Sequence, residues 1–223
     1  MPEGPRVAAF DVDGTLTRRD CVVPFLRRVA GTTGLVTGLG RRLVEVAPAV
    51  ARRDRDRLKE IASDVVFAGR RTEEVEATGR RFAARVASSW LRDDIVTMLG
   101  EHRRNGDHIV LVSASYVAYL VPLAGHLGGA DVIGTRLAVD GGGRCTGSLD
   151  EGNCRGVAKV VRLHRWLDAR FGGRGNVTLW AYGDSRGDEP MLADADHPVW
   201  VGRSLRLRSV AGGERPRGRR GTQ

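Results

Sequence analysis

Three short apolar runs limit the fold of this chain more than any other feature. They are Val7-Ala8-Ala9-Phe10, Ile109-Val110-Leu111-Val112, and Val177-Thr178-Leu179-Trp180-Ala181-Tyr182. Runs of this length without regular polar alternation suit strands buried on both faces, as in a parallel sheet. Helical spacing follows each of the last two runs. Helices are expected near Ser89–Arg104 (stopped by Asn105-Gly106), from Ser115 to His126 with Ser115 as a candidate cap, over Gly156–Arg170 and over Glu189–Ala195. Val199-Trp200-Val201 reads as a further strand. Asp131–Leu149 reads as a short strand and a hairpin turning at Asp140-Gly141-Gly142-Gly143. Strands alternating with helices predict an α/β fold around a parallel sheet.

Residues 20–88 differ in character. Leu43, Val46, Ala47 and Val50 recur at helical spacing, as do Leu58, Ile61, Ala62, Val65 and Val66. This block predicts several amphipathic helices and no strand, punctuated early by Gly31, Gly34, Gly38 and Gly40. It is therefore read as a helical insertion after the first strand. No internal repeat is evident. Ile109–Ala124 is the one stretch resembling a membrane span. It is shorter than the ~20 residues a spanning helix needs, and Ser113, Ser115 and Pro122 interrupt it.

Charge suggests nucleic acid only until it is located. The 223 residues carry a formal net charge of +9. Seven arginines against one acid, Glu214, lie beyond residue 202, which leaves the body at only +3. No nucleic-acid partner is expected, and the basic end reads as a disordered tail. A hydrophobic fraction of 41% excludes wholesale disorder of the body. Three cysteines without C-x-x-C spacing suggest neither disulfides nor zinc and fit a reducing cytoplasm. The polar start, Met1 to Arg6, does not read as a secretory signal. Of 36 basic residues only Lys59 and Lys159 are lysines, so each attracts notice.

In open α/β sheets, ligands bind beyond the carboxyl ends of the strands. The first run ends in Asp11-Val12-Asp13-Gly14-Thr15, the second in Ser113, the third in Gly183-Asp184, and Lys159 starts the helix before the third. Asp11 and Asp13 are two apart, so on a strand they point the same way and repel. A divalent cation relieves that conflict, and magnesium prefers oxygen ligands and keeps room for a substrate phosphate. Asp184 adds an oxygen; Ser113 and Lys159 add donors suited to phosphate. A carboxylate beside a metal and a phosphate can attack phosphorus, and a second acid can protonate the leaving alkoxide.

Each residue has a plainer reading. Ser113 could cap the next helix, Lys159 could be solvated, and Asp188 could be an acid favoured at a helix start. Asp93 and Asp94 read as helix-start or solvent-facing acids. The histidines show no metal spacing, and the four tryptophans read as core or partly buried.

Asp11-Val12-Asp13-Gly14-Thr15-Leu16-Thr17, Ser113 after its strand, Lys159, and Gly183-Asp184-Ser185-Arg186-Gly187-Asp188 together resemble the four motifs of the haloacid dehalogenase (HAD) superfamily. They occur in that family's order over residues 11–188. The helical block after the first motif is similar to the phosphoserine-phosphatase-like (IB) branch. The resemblance implies a Rossmann-like parallel sheet core of residues 1–19 and 89–212, with a helical cap over 20–88 inserted after the first strand and a basic tail over 213–223. It implies a phosphatase working through an aspartyl phosphate, with Mg2+ as cofactor. Asp11 would be the nucleophile. Asp13 would be the general acid and base, its backbone carbonyl on the metal. Gly14, Thr15, Ser113, Ala114 and Lys159 would surround the phosphate. Asp11, Asp13 and Asp184 would hold the metal with Asp188 in support.

For substrate, the same resemblance points to a phosphomonoester of a small metabolite. Asp20 is a candidate specificity residue at roughly the place of an acid that contacts the substrate amine in phosphoserine phosphatases; it could equally cap the first cap helix. Ser113-Ala114-Ser115 and Gly187 depart from the phosphoserine pattern. Asn153-Cys154-Arg155-Gly156 is somewhat similar to phosphatidylglycerophosphate phosphatases, a second reading, and a phosphotransferase using the same site is a third. Peripheral membrane contact through Val29–Leu39 is left open, and the sequence sets no oligomeric state.

Overall fold

The three apolar runs lie side by side in one six-stranded sheet of the computed structural model, which describes residues 4–202. The strands are β1 (Arg6–Phe10), β2 (His108–Tyr116), β3 (Asp131–Val139), β4 (Cys145–Asp150), β5 (Thr178–Gly183) and β6 (His197–Trp200). Their spatial order is β4-β3-β2-β1-β5-β6. Every pairing is parallel except β3 with β4, which form the expected hairpin.

Four helices lie between β1 and β2 ahead of a fifth: α1 (Val22–Arg41), α2 (Leu43–Ala51), α3 (Arg55–Phe67), α4 (Thr72–Ser89) and α5 (Asp93–Arg104). Then come α6 (Val117–His126), α7 (Val157–Phe171) and α8 (Glu189–Asp194). Side chains alternate across a strand, and β1 shows why its run is wholly apolar. Val7 and Ala9 pack into one layer with Val110, Leu163, Leu167 and Leu179. Ala8 and Phe10 pack into the other with Leu99, Leu111 and Leu120. Each fully buried large aliphatic side chain contributes roughly 2 kcal/mol.

The inserted helices are tied to this core at defined points. α4 presses on α6 so closely that a Cβ at Gly79 would run into the Ala118 carbonyl. The end of α3 is laced to β4: the Gly69 N–H donates to the Cys145 carbonyl and the Cys145 N–H to the Arg70 carbonyl, both at 2.8 Å. α1 is broken at Gly31, whose φ of 74° only glycine adopts easily.

Several boundaries differ from those the sequence suggested. Residues 72–89 form α4, so α5 begins at Asp93 rather than Ser89. β2 continues past Ser113 to Tyr116, with a register shift against β3 between Val112 and Tyr116. α6 therefore begins at Val117, and Ser115 does not cap it. β6 begins at His197, and Trp200 at its end is 40% exposed rather than core. Among the described residues, no helix is long and apolar enough to cross a membrane. The tail assigned to 213–223 lies outside the described residues.

Strand register sets the site. Phe10 pairs with Leu111 of β2 and Tyr182 of β5. Asp11, Ser113 and Asp184 thus emerge within one residue step of the same level on three adjacent strands.

Candidate active site

Asp11 leaves β1 with its backbone N–H bound to the Tyr182 carbonyl at 2.9 Å. Its carboxylate is buried and accepts from Lys159 Nζ at 2.6 Å. Lys159 lies in the first turn of α7 and is itself only 2% exposed. The same ammonium donates to Asp188 Oδ1 at 2.5 Å. Asp188 is therefore no solvent-facing helix-start acid. Its other oxygen accepts from the N–H and hydroxyl of Ser185, at 3.1 and 2.7 Å, which closes the turn after β5.

Two buried carboxylates thus share one lysine, and Asp184 makes a third acid. Oxygens of Asp11, Asp184 and Asp188 lie within 4.8 Å of one another. Burial pushes Asp11 up to about 7 against the pull of Lys159, with Asp188 adding to the rise. Burial, then Asp188, also raises Asp184. Burial alone would lower Lys159, but Asp11 and Asp188 overcome it and hold the ammonium charged.

These residues fit a divalent metal. The acids outnumber the lysine, and all their donor atoms are hard oxygens. Asp184 Oδ1 is buried without a hydrogen-bond partner. Gly14, at φ 89°, leaves the space that Asp184 occupies; a Cβ there would collide with that carboxylate. The gathered carboxylates are those of Asp11, Asp184 and Asp188, so Asp188 stands inside the cluster rather than behind it, and the Asp13 carboxylate stands apart.

The Asp13 carboxylate faces the helical side. It accepts from the Cys21 N–H at 3.0 Å and from the Ser115 hydroxyl at 2.5 Å. Tyr119 in turn donates to Ser115 Oγ at 2.5 Å. Burial pushes Asp13 up to about 6, Asp20 adds to this, and the Ser115 bond opposes it. Two acids two residues apart therefore have different partners, lysine for one and a hydroxyl relay for the other.

Ser113 is buried, and its Oγ accepts from the Ser115 N–H at 3.2 Å. That N–H shares a peptide unit with the Ala114 carbonyl, which points the opposite way. The carbonyl accepts from Lys59 Nζ and from Thr135 Oγ1, the latter at 2.8 Å. Lys59 comes from α3, is 8% exposed, and donates also to Thr135 Oγ1 at 3.2 Å and Asn153 Oδ1 at 3.1 Å. Its three N–H groups thus have three oxygen acceptors. Burial pushes its pKa down to about 8. Lys59 fixes the peptide whose far side holds the Ser113 oxygen, leaving the Ser113 proton free to meet a ligand.

A cavity of about 680 Å3 gathers Asp11, Asp13, Ser113, Ala114, Lys159, Asp184 and Asp188, with Asp20 and Lys59 on the helical side. Gly14 borders a neighbouring recess on the other side of Asp184, with Arg18 and Arg92. Thr15 is wholly buried, its hydroxyl without a partner. Neither Gly14 nor Thr15 lines the cavity over the acids, and Gly14 packs directly against Asp184. Asp20 lines the cavity while its Oδ1 accepts from the N–H groups of Val22 and Val23, at 2.8 and 3.2 Å, so it also caps α1. Asp94 pairs with Arg92, and both line that neighbouring recess with Asp184.

Sequence reasoning missed two contributors. Ser115 looked like a helix cap and instead bonds Asp13. Lys59 carried a signal, lysine being so rare here, but nothing in its helical pattern announced a contact with residue 114.

Comparison with known proteins places this geometry in context. The family model described as haloacid dehalogenase-like hydrolase matches residues 8–193. Protein CicA of Caulobacter vibrioides is 38% identical over 196 residues, covering 88% of this chain and 86% of CicA. A histidinol-phosphatase of Neisseria meningitidis is 30% identical over 126 residues, covering 51% of this chain and 52% of that enzyme. Among solved structures, a phospho-aspartyl intermediate analogue of phosphoserine phosphatase superposes with a TM-score of 0.56 at 17% identity, covering 86% of this chain and 84% of that one. The last is a likeness of fold.

Proposed function

The chain belongs to the haloacid dehalogenase-like hydrolase family, and from that membership we propose a magnesium-dependent phosphatase that hydrolyses a phosphomonoester through an aspartyl phosphate on Asp11. The observation that carries this reading is the contrast between two acids at the end of β1, Asp11 buried and Asp13 half-buried. Asp11 is held by Lys159 beside the acid cluster; Asp13 is held by Ser115 and the Cys21 N–H. In this reading α1–α4 form the cap, residues 20–88, over a core of 1–19 and 89–212.

Asp11 attacks phosphorus while the bond from phosphorus to the alcohol oxygen breaks. Asp13, protonated, gives its proton to the departing alkoxide. Its pKa near 6 keeps it able to exchange a proton near neutrality. Asp13 then takes a proton from water, which attacks phosphorus and frees Asp11. Lys159 and the Ser113 hydroxyl hold phosphoryl oxygens, with Ala114 beside them. A magnesium ion held by Asp11, Asp184 and Asp188 with the Asp13 backbone carbonyl would neutralise charge on the phosphoryl oxygens. The histidinol-phosphatase likeness supports phosphatase chemistry on a phosphate ester.

The test is phosphate release from a panel holding phosphoserine, histidinol phosphate, sugar phosphates, phosphatidylglycerophosphate and p-nitrophenyl phosphate. Turnover with magnesium is expected for at least one ester, lost in Asp11→Asn and with a chelator. No release from any ester by the pure wild type with magnesium overturns the reading.

A further inference from the structure

The cavity over the acids has an apolar wall that phosphoryl transfer does not need. Leu26, Leu35, Val36, Leu39, Val46 and Leu58, from α1, α2 and α3, line it. The wall reaches the surface. Val23 and Val36 line the cavity and are also 46% and 63% exposed. Beyond them Leu43, Val44 and Val50 of α2 stand exposed. Five of the ten exposed large hydrophobic side chains among the described residues therefore lie on α1 and α2. An exposed apolar patch this concentrated marks a binding surface more often than chance. Here it is continuous with the interior of the site.

Asp20, Lys59 and Asn153 on that wall are bonded within the protein, and Arg27, Arg55 and Arg155 line its polar edge. Asp20 is bonded to two N–H groups of α1. All three Lys59 donors have protein acceptors. Asn153 accepts from Lys59 at 3.1 Å and donates to Asp56 at 2.6 Å. A small polar alcohol would leave the leucines and valines of the wall in water. An alkyl chain asks for no polar partner and covers them.

We propose that the substrate is a phosphomonoester of an amphiphilic alcohol. Its phosphate sits at Asp11 and its hydrocarbon chain runs along the α1–α2–α3 wall to the opening at Val23 and Val36. The proposal rests on the phosphatase reading and names the class of ester that site takes.

The experiment measures kcat/KM for n-alkyl phosphates from ethyl to decyl, with the full chain and magnesium, below their micelle-forming concentrations. Burying one methylene is expected to raise kcat/KM about fourfold, step after step until the wall is covered. Phosphoserine and histidinol phosphate should fall below butyl phosphate. Decyl phosphate should bind Asp11→Asn with a negative heat-capacity change, the marker of apolar burial. Val36→Asp, at an exposed position, should leave the melting temperature unchanged and flatten the chain-length series. Hydrolysis of ethyl and p-nitrophenyl phosphates with a flat or falling series overturns the amphiphile proposal alone. So does an unchanged series in Val36→Asp. No hydrolysis of any ester overturns the phosphatase reading and this proposal with it.

Discussion

Replacing Lys59 by methionine separates what the ammonium does for the site from its burden on the fold. The side chain is 8% exposed, and burial carries its pKa from an ordinary 10.5 down to about 8. That displacement corresponds to about 3 kcal/mol against holding the charge in the folded chain. Lys59→Met removes this penalty while keeping a long side chain. It also gives up three hydrogen bonds, each worth about 1 kcal/mol net. The two effects offset, so urea denaturation near neutrality should show a stability change below about 2 kcal/mol. The pH dependence has a definite sign. Between about 8 and 10.5 the unfolded chain binds this proton more tightly than the folded one. Wild-type stability therefore gains from this group as pH rises through that window, and Lys59→Met lacks the gain. Activity should respond differently. Without Lys59 the Ala114 carbonyl keeps only Thr135, and the peptide that holds the Ser113 oxygen loosens. Misplacing one phosphate donor by a fraction of an ångström to an ångström lowers kcat by up to about 10²-fold, with KM moving less. Steady-state kinetics on p-nitrophenyl phosphate read this directly. An unchanged kcat refutes the peptide-clamp reasoning. A stability loss above about 4 kcal/mol refutes the offset and makes Lys59 a structural ion.

Other substitutions probe separate parts of the site. Ser115→Ala removes a hydrogen bond that lowers the Asp13 pKa. Asp13 then keeps its proton to higher pH, so the falling limb of the kcat profile should shift upward in pH; no shift, or a downward one, contradicts the relay. Gly14→Ala forces a methyl into the Asp184 carboxylate at a φ of 89°. The magnesium concentration for half-maximal activity should rise about tenfold or more, measured by metal titration. Lys159→Met strands two buried acids and should cost about 3–5 kcal/mol at neutral pH without metal. Because burial and the neighbouring Asp188 charge hold the Asp11 pKa up, that loss should shrink as pH falls and Asp11 protonates, which urea melts across pH will show.

Most of the site's positions could be read because each follows a buried run. Asp11, Ser113 and Asp184 converge at one rim because parallel strands in register bring equivalent ends together. Lys159 stood out by scarcity and by its place ahead of the third run. The rest depends on contacts that sequence spacing does not encode. Ser115 precedes an apolar stretch, which is also what a helix cap looks like. Only the continuation of β2 to Tyr116 turns it toward Asp13. Lys59 meets Ala114 across 55 residues, and amphipathic periodicity in α3 says only that some face is buried. Asp188 closes the Gly183–Asp188 motif and stands at a helix start, and the Ser185 turn points it inward to Lys159. Asp20 lines the cavity and accepts from the first N–H groups of α1. The α1–α2 surface was visible as a Gly- and Val-rich stretch, but the break at Gly31 and the continuity with the cavity are properties of the folded chain.

The most direct measurement traps the enzyme during turnover. Acid quench of wild type with magnesium and a hydrolysed ester, followed by peptide mass spectrometry, should find one phosphoryl group on the peptide bearing Asp11, carried by Asp11 itself and absent in Asp11→Asn. Steady turnover with no phosphorylated peptide, or with the phosphoryl group on another residue, would contradict the assignment of Asp11 as nucleophile.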